Sequence, residues 1–308
     1  MEYRTALADA EIEVNPEHKS HAAYVKFPIV NEDSLYAIIW TTTPWTLLAN
    51  QAIGINTKLT YCKIGSDSSN EKYIVEKELF LKNAIPNTKE FKILEEYNDD
   101  KAMQLLGLYY QNPFVKNATP LKLISHPQAT NTSGTGLVHI APAHGEVDYE
   151  ISIENNIVPV TPVTEKGTYD YNPETNPDEW IYAIDFSTKN PKVLSPATTS
   201  KIFQFMKDKN MLLHDHIYTH SYPYDWRSKK PVITRLTTQL YVDIKNVKQQ
   251  ADELLKNDVV KFKPESAKDR LMSYVKNRES WCISRQRAWG LPIPCLTDDK
   301  GNMIIDGE

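Results

Sequence analysis

Five short runs of β-branched and aromatic residues constrain the fold of this 308-residue chain more than any other feature of its sequence. Each run is four to eight residues long and is bounded by turn-forming residues, a pattern that favours strands over helices. The runs are residues 34–41, 60–64, 72–75, 120–125 and 136–141. All five lie in the first half of the chain, so that half is predicted to form a compact β core.

Helical patterns lie between and after these runs. They cover residues 76–83, 148–155, 197–210, 245–256 and 264–276. The third begins after Ser195 and Pro196, which are typical helix-start residues, and it places Ile202, Phe205 and Met206 on one face. The predicted fold class is therefore mixed α and β, with helices flanking the sheets.

Other local signals suggest how the chain is organised. Residues 169–180 are rich in proline and acidic residues, which cannot pack a core, so they are predicted to form an exposed loop. The last residues are predicted to form a hairpin that turns around residues 299–301. The residue pattern of the sequence changes near residues 215–222, where we place a domain boundary. The predicted segments are an N-terminal stem strand at 1–20, a main domain at 21–217 and a C-terminal segment at 218–308.

Composition and cysteine usage narrow the class of protein. Hydrophobic residues make up 41% of the chain, no apolar run reaches 18 residues, and the first residues resemble neither a secretory signal nor a transit peptide. A soluble globular protein is therefore expected. The three cysteines form no C-x-x-C pair and match no zinc spacing, which predicts reduced thiols, an intracellular compartment and no structural metal.

The charge of the chain is unevenly distributed. The formal net charge is −5, yet residues 226–290 carry 15 Lys and Arg against 7 Asp and Glu. A polyanion would bind this segment in preference to the rest of the chain, because the excess positive charge of the segment attracts negative charge. The alternative is that these lysine-rich helices are only a solvated surface.

The segment WTTTPWTL, residues 40–47, ends an apolar strand with three consecutive threonines and a proline. Side chains alternate along a strand, so three threonines in a row point to both faces, and at least one must face inward or toward a cleft. Hydroxyls placed there can donate and accept hydrogen bonds within a pocket while adding little bulk. Threonine is also common in strands and at helix caps without any function.

A second segment, SGTGLVHIAPAHGEVDYE at residues 133–150, is predicted to form a strand, a turn and a helix. Gly134 and Gly136 would allow a tight turn or a close approach to a ligand, and Asp148 lies in or near the first helical turn. Threonine hydroxyls, the carboxylate of Asp148 and the imidazole of His139 could together bind a small ammonium-bearing ligand and position a water. A turn and a dipole-complementing acid are the structural alternative. No G-x-S-x-G serine hydrolase motif is present.

Three long motifs, WTTTPWTLLANQAIGI, GTGLVHIAPAHGEVDY and WCISRQRAWGLPIP, resemble in this order and spacing the isoleucyl-tRNA synthetases. The segments TALADAEIEV and HSYPYDWR are similar to that family as well, so the resemblance spans nearly the whole chain. It implies that residues 21–217 are the editing (CP1) domain, with a β-barrel-like core and flanking helices. It also implies that residues 218–308 form a mixed C-terminal stem that returns toward a catalytic domain. The signatures HIGH and KMSKS are absent, so no amino-acid activation is expected.

The same resemblance distinguishes related editing domains. Leucyl- and valyl-type domains typically have arginine where this chain has Thr43, and they lack a histidine at the position of His139; Trp45 also fits the isoleucine type. A valyl- or leucyl-type site that clears threonine or norvaline is the closer alternative. The motifs are nearest to the bacterial and organellar branch, which predicts a mitochondrial matrix enzyme of a lower eukaryote, with a bacterial cytoplasmic enzyme as the alternative.

The implied function is a second hydrolytic sieve. A pocket for isoleucine rejects valine poorly, because one methylene is worth only about 1–3 kcal/mol. The resemblance therefore implies hydrolysis of Val-tRNA(Ile), and by analogy of valyl-adenylate, with isoleucine excluded by size. It implies a monomer whose partners are tRNA(Ile) carrying valine and the rest of the synthetase, with no membrane association. Editing would need no cofactor, since ATP serves only the catalytic domain. The alternative is an inactive tRNA-binding module.

The family's roles fall on individual residues of this chain. The catalytic set is Asp148, Thr42, Thr43 and His139. The substrate-binding set is Thr41, Thr46, Asn50 and Trp45. Asp148 would hold the α-ammonium group, the threonines would line the side-chain pocket, and His139 would contact the terminal ribose or the side chain. The tRNA-binding set, contacting phosphates, is Arg227, Lys229, Lys230, Arg285 and Arg287. No metal ligand is assigned.

Overall fold

The computed structural model describes residues 7, 11–98, 101–116, 119–170, 181–186, 190–276, 280–284, 293, 295–298 and 303–304. The chain divides into two compact units, one essentially Leu7–Leu236 and the other essentially Thr237–Glu308. Each is described by itself.

The first unit contains twelve described strands and four described α-helices. The strands are β1 (Ile12–Pro28), β2 (Leu35–Thr41), β3 (Ala52–Ile55), β4 (Tyr61–Ser66), β5 (Ser69–Glu76), β6 (Lys92–Tyr97), β7 (Tyr109–Tyr110), β8 (Val115–Lys116), β9 (Leu121–Ser125), β10 (Leu137–Ile140), β11 (Ile181–Tyr182) and β12 (Leu212–Asp225). The helices are α1 (Lys77–Leu81), α2 (Ala102–Leu105), α3 (Glu146–Glu154) and α4 (Pro196–Asp208), and a 3-10 helix covers Pro44–Ala49.

Two sheets organise this unit. The larger has the order β12-β1-β2-β5-β4-β6, in which β2 and β5 are parallel and the other neighbours are antiparallel. The smaller has the order β10-β3-β9-β7, and β8 pairs with β11. The ends of the larger sheet, β12 and β6, do not pair with each other, so the described strands form no closed barrel. The mixed α and β class is confirmed, and the barrel-like core is corrected to open sheets.

The main core contains side chains from both sheets. Phe27 and Ile39 come from the larger sheet, Ile53 from the smaller one, and Leu47 from the 3-10 helix, and all four are fully buried. Helix α4 adds Ile202 to the same cluster. The core therefore holds the end of β2, the 3-10 helix and the strands of the smaller sheet together.

Each strand run and helix predicted from the local sequence patterns matches an element of the structure, whereas several elements, such as β3, β6 and α2, were not predicted. All five predicted strand runs overlap strands of the structure, and the five predicted helices overlap α1, α3, α4 and two helices of the second unit. The long strands β1 and β12 pair antiparallel from Ile12↔Asp225 to Val25↔Leu212. Of the two, only β1 was predicted, as a stem strand that ends at residue 20, and β12 was not predicted. Strand β12 runs without a break through residues 217 and 218. The proposed segment boundaries stay a prediction. The predicted loop at 169–180 lies mostly outside the described residues.

The second unit contains shorter elements. They are β13 (Tyr241–Asp243), α5 (Lys245–Lys256), α6 (Ala267–Lys276), β14 (Ser280–Cys282), β15 (Leu296–Thr297) and β16 (Met303–Ile304). β13 pairs with β14, and β15 pairs with β16 as the two arms of the predicted hairpin. Among the described residues of the whole chain, no helix is both long and apolar enough to cross a membrane.

Candidate active site

The threonine segment is shaped by the proline that follows it. Pro44 occupies the first turn of the 3-10 helix, where its missing N–H costs nothing, so β2 ends at Thr41 and the chain turns. Oγ1 of Thr41 accepts from the Thr43 N–H at 3.0 Å, and Oγ1 of Thr46 donates to the Thr43 carbonyl at 2.9 Å. The hydroxyl of Thr43 lies 3.4 Å from that of Thr41 and 3.5 Å from that of Thr46. The turn thus gathers three hydroxyls into one cluster.

Burial separates the threonines into two groups. Thr41 and Thr46 are buried, whereas Thr42 and Thr43 are half-buried. The Thr42 hydroxyl makes no hydrogen bond to any residue that the structure describes. Thr42 and Thr43 are therefore the hydroxyls of this segment that remain accessible to a ligand.

Strand β10 brings His139 to the threonine cluster. Its Nε2 lies 2.9 Å from Oγ1 of Thr46, and its Nδ1 lies 2.8 Å from the amide nitrogen of Asn50. Burial, reinforced by the nearby His144, lowers the pKa of His139 to about 3. The ring is therefore neutral near physiological pH, and both of its nitrogens are already engaged.

Asn50 and Trp45, both predicted to bind substrate, are more deeply buried than the accessible Thr42 and Thr43. Asn50 has no exposed area, and its Nδ2 also donates to the Ala52 carbonyl at 2.9 Å. The Trp45 ring is 8% exposed and lies edge-on to the His144 ring at 4.9 Å between centroids. These positions favour a supporting role for both residues over a direct ligand contact.

Asp148 lies in the first turn of α3, whose N-cap is Gly145. Its Oδ2 accepts from the Ala141 N–H at 2.8 Å, while Oδ1 has no hydrogen-bond partner among the described residues. Burial raises the pKa of Asp148, and the Ala141 N–H and His126 oppose that rise. Ala141 directly follows β10, so the same strand that holds His139 also anchors this carboxylate.

Sequence reasoning missed the role of His144. Its Nδ1 lies 3.0 Å from the Thr234 carbonyl, which can only accept, so Nδ1 carries the proton. Its Nε2 is buried without a hydrogen-bond partner in the described part of the chain. Burial lowers the pKa of His144 to about 4. The motif APAHGEVDY contains this histidine, but nothing local in the motif indicates that it packs on Trp45.

Three of the five residues predicted to contact tRNA are described by the structure. Arg227, Lys229 and Lys230 share the exposed turn that follows β12. Asp225 holds this turn, since its Oδ2 accepts from the Ser228 hydroxyl at 2.6 Å. The Arg227 guanidinium lies 5.0 Å from the Trp226 ring centroid, and Lys229 forms a salt bridge to Glu13 at 2.5 Å. Arg285 and Arg287 lie outside the described residues.

The chemistry available here is binding and positioning. Among the described residues no group of three His, Cys, Asp or Glu side chains could hold a metal ion. A half-buried carboxylate with one open oxygen can bind an ammonium group, and accessible hydroxyls can orient a polar ligand or a water. The Thr46 hydroxyl, which lies 2.9 Å from Nε2 of His139, already donates to the Thr43 carbonyl, so this threonine cluster pairs no free hydroxyl with an imidazole base.

Comparisons with known proteins agree with one another. The family model of class I tRNA synthetases (I, L, M and V) matches residues 1–308. The mitochondrial isoleucine–tRNA ligase of Saccharomyces cerevisiae is 42% identical over 95% of this chain and 30% of its own length. The isoleucine–tRNA ligase of Petrotoga mobilis is 37% identical over 99% of this chain and 31% of its own length. The chain thus spans about a third of the curated relatives it matches.

Solved structures with a similar backbone are more distant. The cytosolic leucyl-tRNA synthetase editing domain of P. falciparum matches with a TM-score of 0.44 and 10% identity, over 65% of this chain and 100% of that one. The structure described as GlLeuRS-CP1 matches with a TM-score of 0.39 and 13% identity, over 77% of this chain and 96% of that one.

Proposed function

The chain belongs to the class I tRNA synthetase family, and we propose that it is the editing domain of an isoleucine–tRNA ligase, which hydrolyses Val-tRNA(Ile). One observation carries the proposal. Strand β10 and the turn after it anchor both a threonine cluster, through His139, and the Asp148 carboxylate, through the Ala141 N–H.

The proposed chemistry starts from the open oxygen of Asp148. This oxygen accepts a hydrogen bond from the α-ammonium group of the aminoacyl ester. The bond fixes the ester in the site, because a charge-assisted hydrogen bond is strong where a group is partly shielded from water. Thr42 and Thr43 line the side-chain pocket and hold the attacking water. Water adds to the ester carbonyl and the bond to the ribose oxygen breaks, releasing valine and a free 3′ end. The ribose hydroxyl next to the ester shares the positioning of that water.

The proposed specificity is a matter of volume. Thr43 is shorter than the arginine that the resemblance places in leucyl- and valyl-type domains, so its methyl and hydroxyl groups form the wall that admits valine and excludes isoleucine. Editing draws on no cofactor. Valyl-adenylate, whose aminoacyl group is the same, is the second proposed substrate.

The proposed setting is a mitochondrial matrix synthetase that acts as a monomer with tRNA(Ile). Two of the relatives are mitochondrial isoleucine–tRNA ligases from yeasts, at 42% and 34% identity, while bacterial isoleucine–tRNA ligases reach 37%. A bacterial cytoplasmic enzyme remains the alternative. The basic turn at Arg227, Lys229 and Lys230 would contact tRNA phosphates, together with Arg285 and Arg287.

The deciding experiment is deacylation of three charged tRNAs, Val-tRNA(Ile), Thr-tRNA(Val) and Ile-tRNA(Ile), by the purified chain. Release of valine alone is expected. Preferential release of threonine from Thr-tRNA(Val) would identify a valyl-type site. If no ester is cleaved while tRNA binds, the chain is an inactive tRNA-binding module and the proposal is wrong.

A further inference from the structure

Tyr110 lies at the start of a hydrogen-bond chain that ends at the threonine segment. It belongs to β7 of the smaller sheet and has no exposed surface. Its hydroxyl donates to Oδ1 of Asn50 at 2.5 Å. The neighbouring Asn112 donates from Nδ2 to the Asn50 carbonyl at 3.1 Å, so both the side chain and the main chain of Asn50 are held from the same side.

The donors and acceptors around His139 can be assigned, because each side of the ring leads to a main-chain carbonyl, a group that can only accept. The Ala52 carbonyl has no proton, so the atom of Asn50 that lies 2.9 Å from it must be the amide nitrogen. That nitrogen has two protons, and the second points at Nδ1 of His139, 2.8 Å away. Nδ1 must therefore present its lone pair, which means that it carries no proton.

The proton of the neutral His139 ring is therefore on Nε2. The Thr46 hydroxyl donates its own proton to the Thr43 carbonyl, another group that can only accept. Its oxygen can then only accept from His139, and Nε2 lies 2.9 Å away. The two ends of the ring give the same tautomer independently of each other.

We propose that Tyr110 is a positioning residue: through the Asn50 amide it holds His139 in the Nε2-protonated tautomer, which commits the Thr46 hydroxyl to the Thr43 main chain. Without the Tyr110 hydroxyl, Oδ1 of Asn50 would be a buried acceptor with no donor, which raises the free energy of the present amide orientation and narrows its advantage over the turned one. Turning the amide over would instead bring Oδ1 against the Ala52 carbonyl and call for a proton on Nδ1. The Thr46 hydroxyl would then lose the donor that fixes it.

As a consequence, the threonine hydroxyls of the site have different roles. The single proton of the Thr46 hydroxyl is committed to the Thr43 carbonyl and its oxygen accepts from His139, so Thr46 supports the turn. The hydroxyls of Thr42 and Thr43 keep hydrogen-bonding capacity for a ligand. His139 acts by donating a fixed proton and not by accepting one, so the sequence-based assignment of His139 as a catalytic group is replaced by a positioning role in this proposal.

The first test reads the tautomer directly and needs no substrate. Heteronuclear NMR of the full chain with isotope-labelled histidine separates protonated from unprotonated ring nitrogens, and a His139→Gln variant assigns the signals. We expect an unprotonated Nδ1 and a protonated Nε2 in the wild type. A protonated Nδ1 in the wild-type spectrum would overturn the proposal, whatever the chain hydrolyses.

The second test removes only the hydroxyl. Tyr110→Phe is expected to move the His139 signals toward a mixture of tautomers. The matched control is Tyr73→Phe, because Tyr73 is also buried and its hydroxyl also donates, to Oε2 of Glu71 at 2.5 Å, but its network contains no residue of the smaller sheet. Unchanged His139 signals in Tyr110→Phe, or equal changes in both variants, would refute the role of Tyr110. Asn50→Asp is a second variant, in which the carboxylate should draw the proton to Nδ1; a proton that stays on Nε2 there would also refute it.

The third test rests on the proposed function. In deacylation of Val-tRNA(Ile), Tyr110→Phe should lower kcat about tenfold with KM nearly unchanged, as loss of one buried hydrogen bond in a positioning chain predicts, and Tyr73→Phe should stay within about twofold of wild type. A KM effect alone, or equal losses in both variants, would contradict the inference. If the wild type cleaves no ester, the proposed function fails while the NMR result still decides the inference.

Discussion

Asp148 illustrates at the scale of one residue how function and stability oppose each other. Its carboxylate is half-buried, and burial raises its pKa, so the folded chain binds the proton more tightly than the unfolded chain does. This group therefore favours the folded state at low pH, and its contribution disappears as pH rises through its folded pKa. An ionised carboxylate that weakens the folded state in this way is typical of residues that serve the chemistry of a site.

Replacing Asp148 with asparagine should separate the two effects. Oδ1 of asparagine can still accept from the Ala141 N–H, but the neutral amide cannot neutralise an ammonium group. We expect deacylation of Val-tRNA(Ile) to fall at least about 100-fold, since the substrate ammonium no longer meets an opposite charge. The melting temperature at neutral pH should be unchanged or slightly higher. Stopped-time deacylation assays and thermal unfolding measure the two quantities, and retained activity would remove Asp148 from the mechanism.

The histidines predict how stability depends on pH. Burial lowers the pKa of His139 to about 3 and that of His144 to about 4, below the usual value near 6.5. Their stabilising contribution is therefore fully present above about pH 6.5 and is lost as pH falls toward the folded values, because only the unfolded chain gains these protons. Urea unfolding between about pH 7 and pH 4 should show a shallower pH dependence for His139→Gln than for wild type. Equal slopes would contradict the low pKa of His139.

At the scale of elements, the start of β10 depends on a glycine. Gly136 has φ of +78°, and a Cβ there would lie 2.2 Å from Cβ of Glu76. Glu76 cannot move away easily, because it is 1% exposed and its carboxylate caps α1 through the Leu79 N–H. Gly136→Ala should lower the free energy of unfolding by about 2–4 kcal/mol.

Gly107 offers the matched control for that substitution. Its φ is not positive, and a Cβ there would meet only the Gln104 carbonyl oxygen at 3.3 Å. Gly107→Ala should therefore change the free energy of unfolding by about 1 kcal/mol or less. Denaturant titrations compare the two variants. Because β10 carries His139, the deacylation rate of Gly136→Ala should fall together with its stability, and an unchanged rate would show that the register of β10 does not matter to the site.

The elements also show what the sequence could and could not predict. Short β-branched runs such as residues 34–41 identify strands because the pattern is local. Strand β12 carries His and Tyr on alternate positions, and its pairing with β1 is stabilised by contacts such as the stack of His18 on Tyr222 at 4.3 Å. That contact joins residues about 200 positions apart in the sequence, so no local pattern predicts it. The five predicted strand runs end within a few residues of the strands they overlap, whereas β12 and the order of the strands in each sheet required the structure.

The candidate site shows the same limit. Motif and resemblance together selected Thr43, His139 and Asp148; the structure places His139 against the threonine cluster and Asp148 on the N–H of the residue that follows β10. They missed Tyr110, which is 60 positions from Asn50. Its hydroxyl reaches the Asn50 amide only because β7, β9, β3 and β10 lie side by side in one sheet. A tyrosine in a two-residue strand gives no signal that it sets a tautomer elsewhere.

For the whole molecule, the uneven charge along the sequence predicts how tRNA binding depends on salt. The turn at Arg227, Lys229 and Lys230 is exposed, and Asp225 holds its shape. Removing one phosphate-binding side chain should lower the slope of log Kd against log salt by about 0.7–0.9, because one fewer counterion is released on binding. Lys229 already has Glu13 as a partner, so its share should be smaller than that of a lysine without an ion pair.

Replacing Arg227, Lys229 and Lys230 together with alanine should therefore weaken tRNA(Ile) binding and lower the slope of log Kd against log salt by about one to three. Fluorescence anisotropy at several salt concentrations measures both quantities. The control replaces three exposed lysines of the first unit, Lys82, Lys89 and Lys92, and removes the same charge. Equal losses of affinity in both triple variants would mean that net charge alone attracts the tRNA. A loss of affinity confined to the first variant would mean that this turn binds the tRNA, because only position, and not charge, differs between the two.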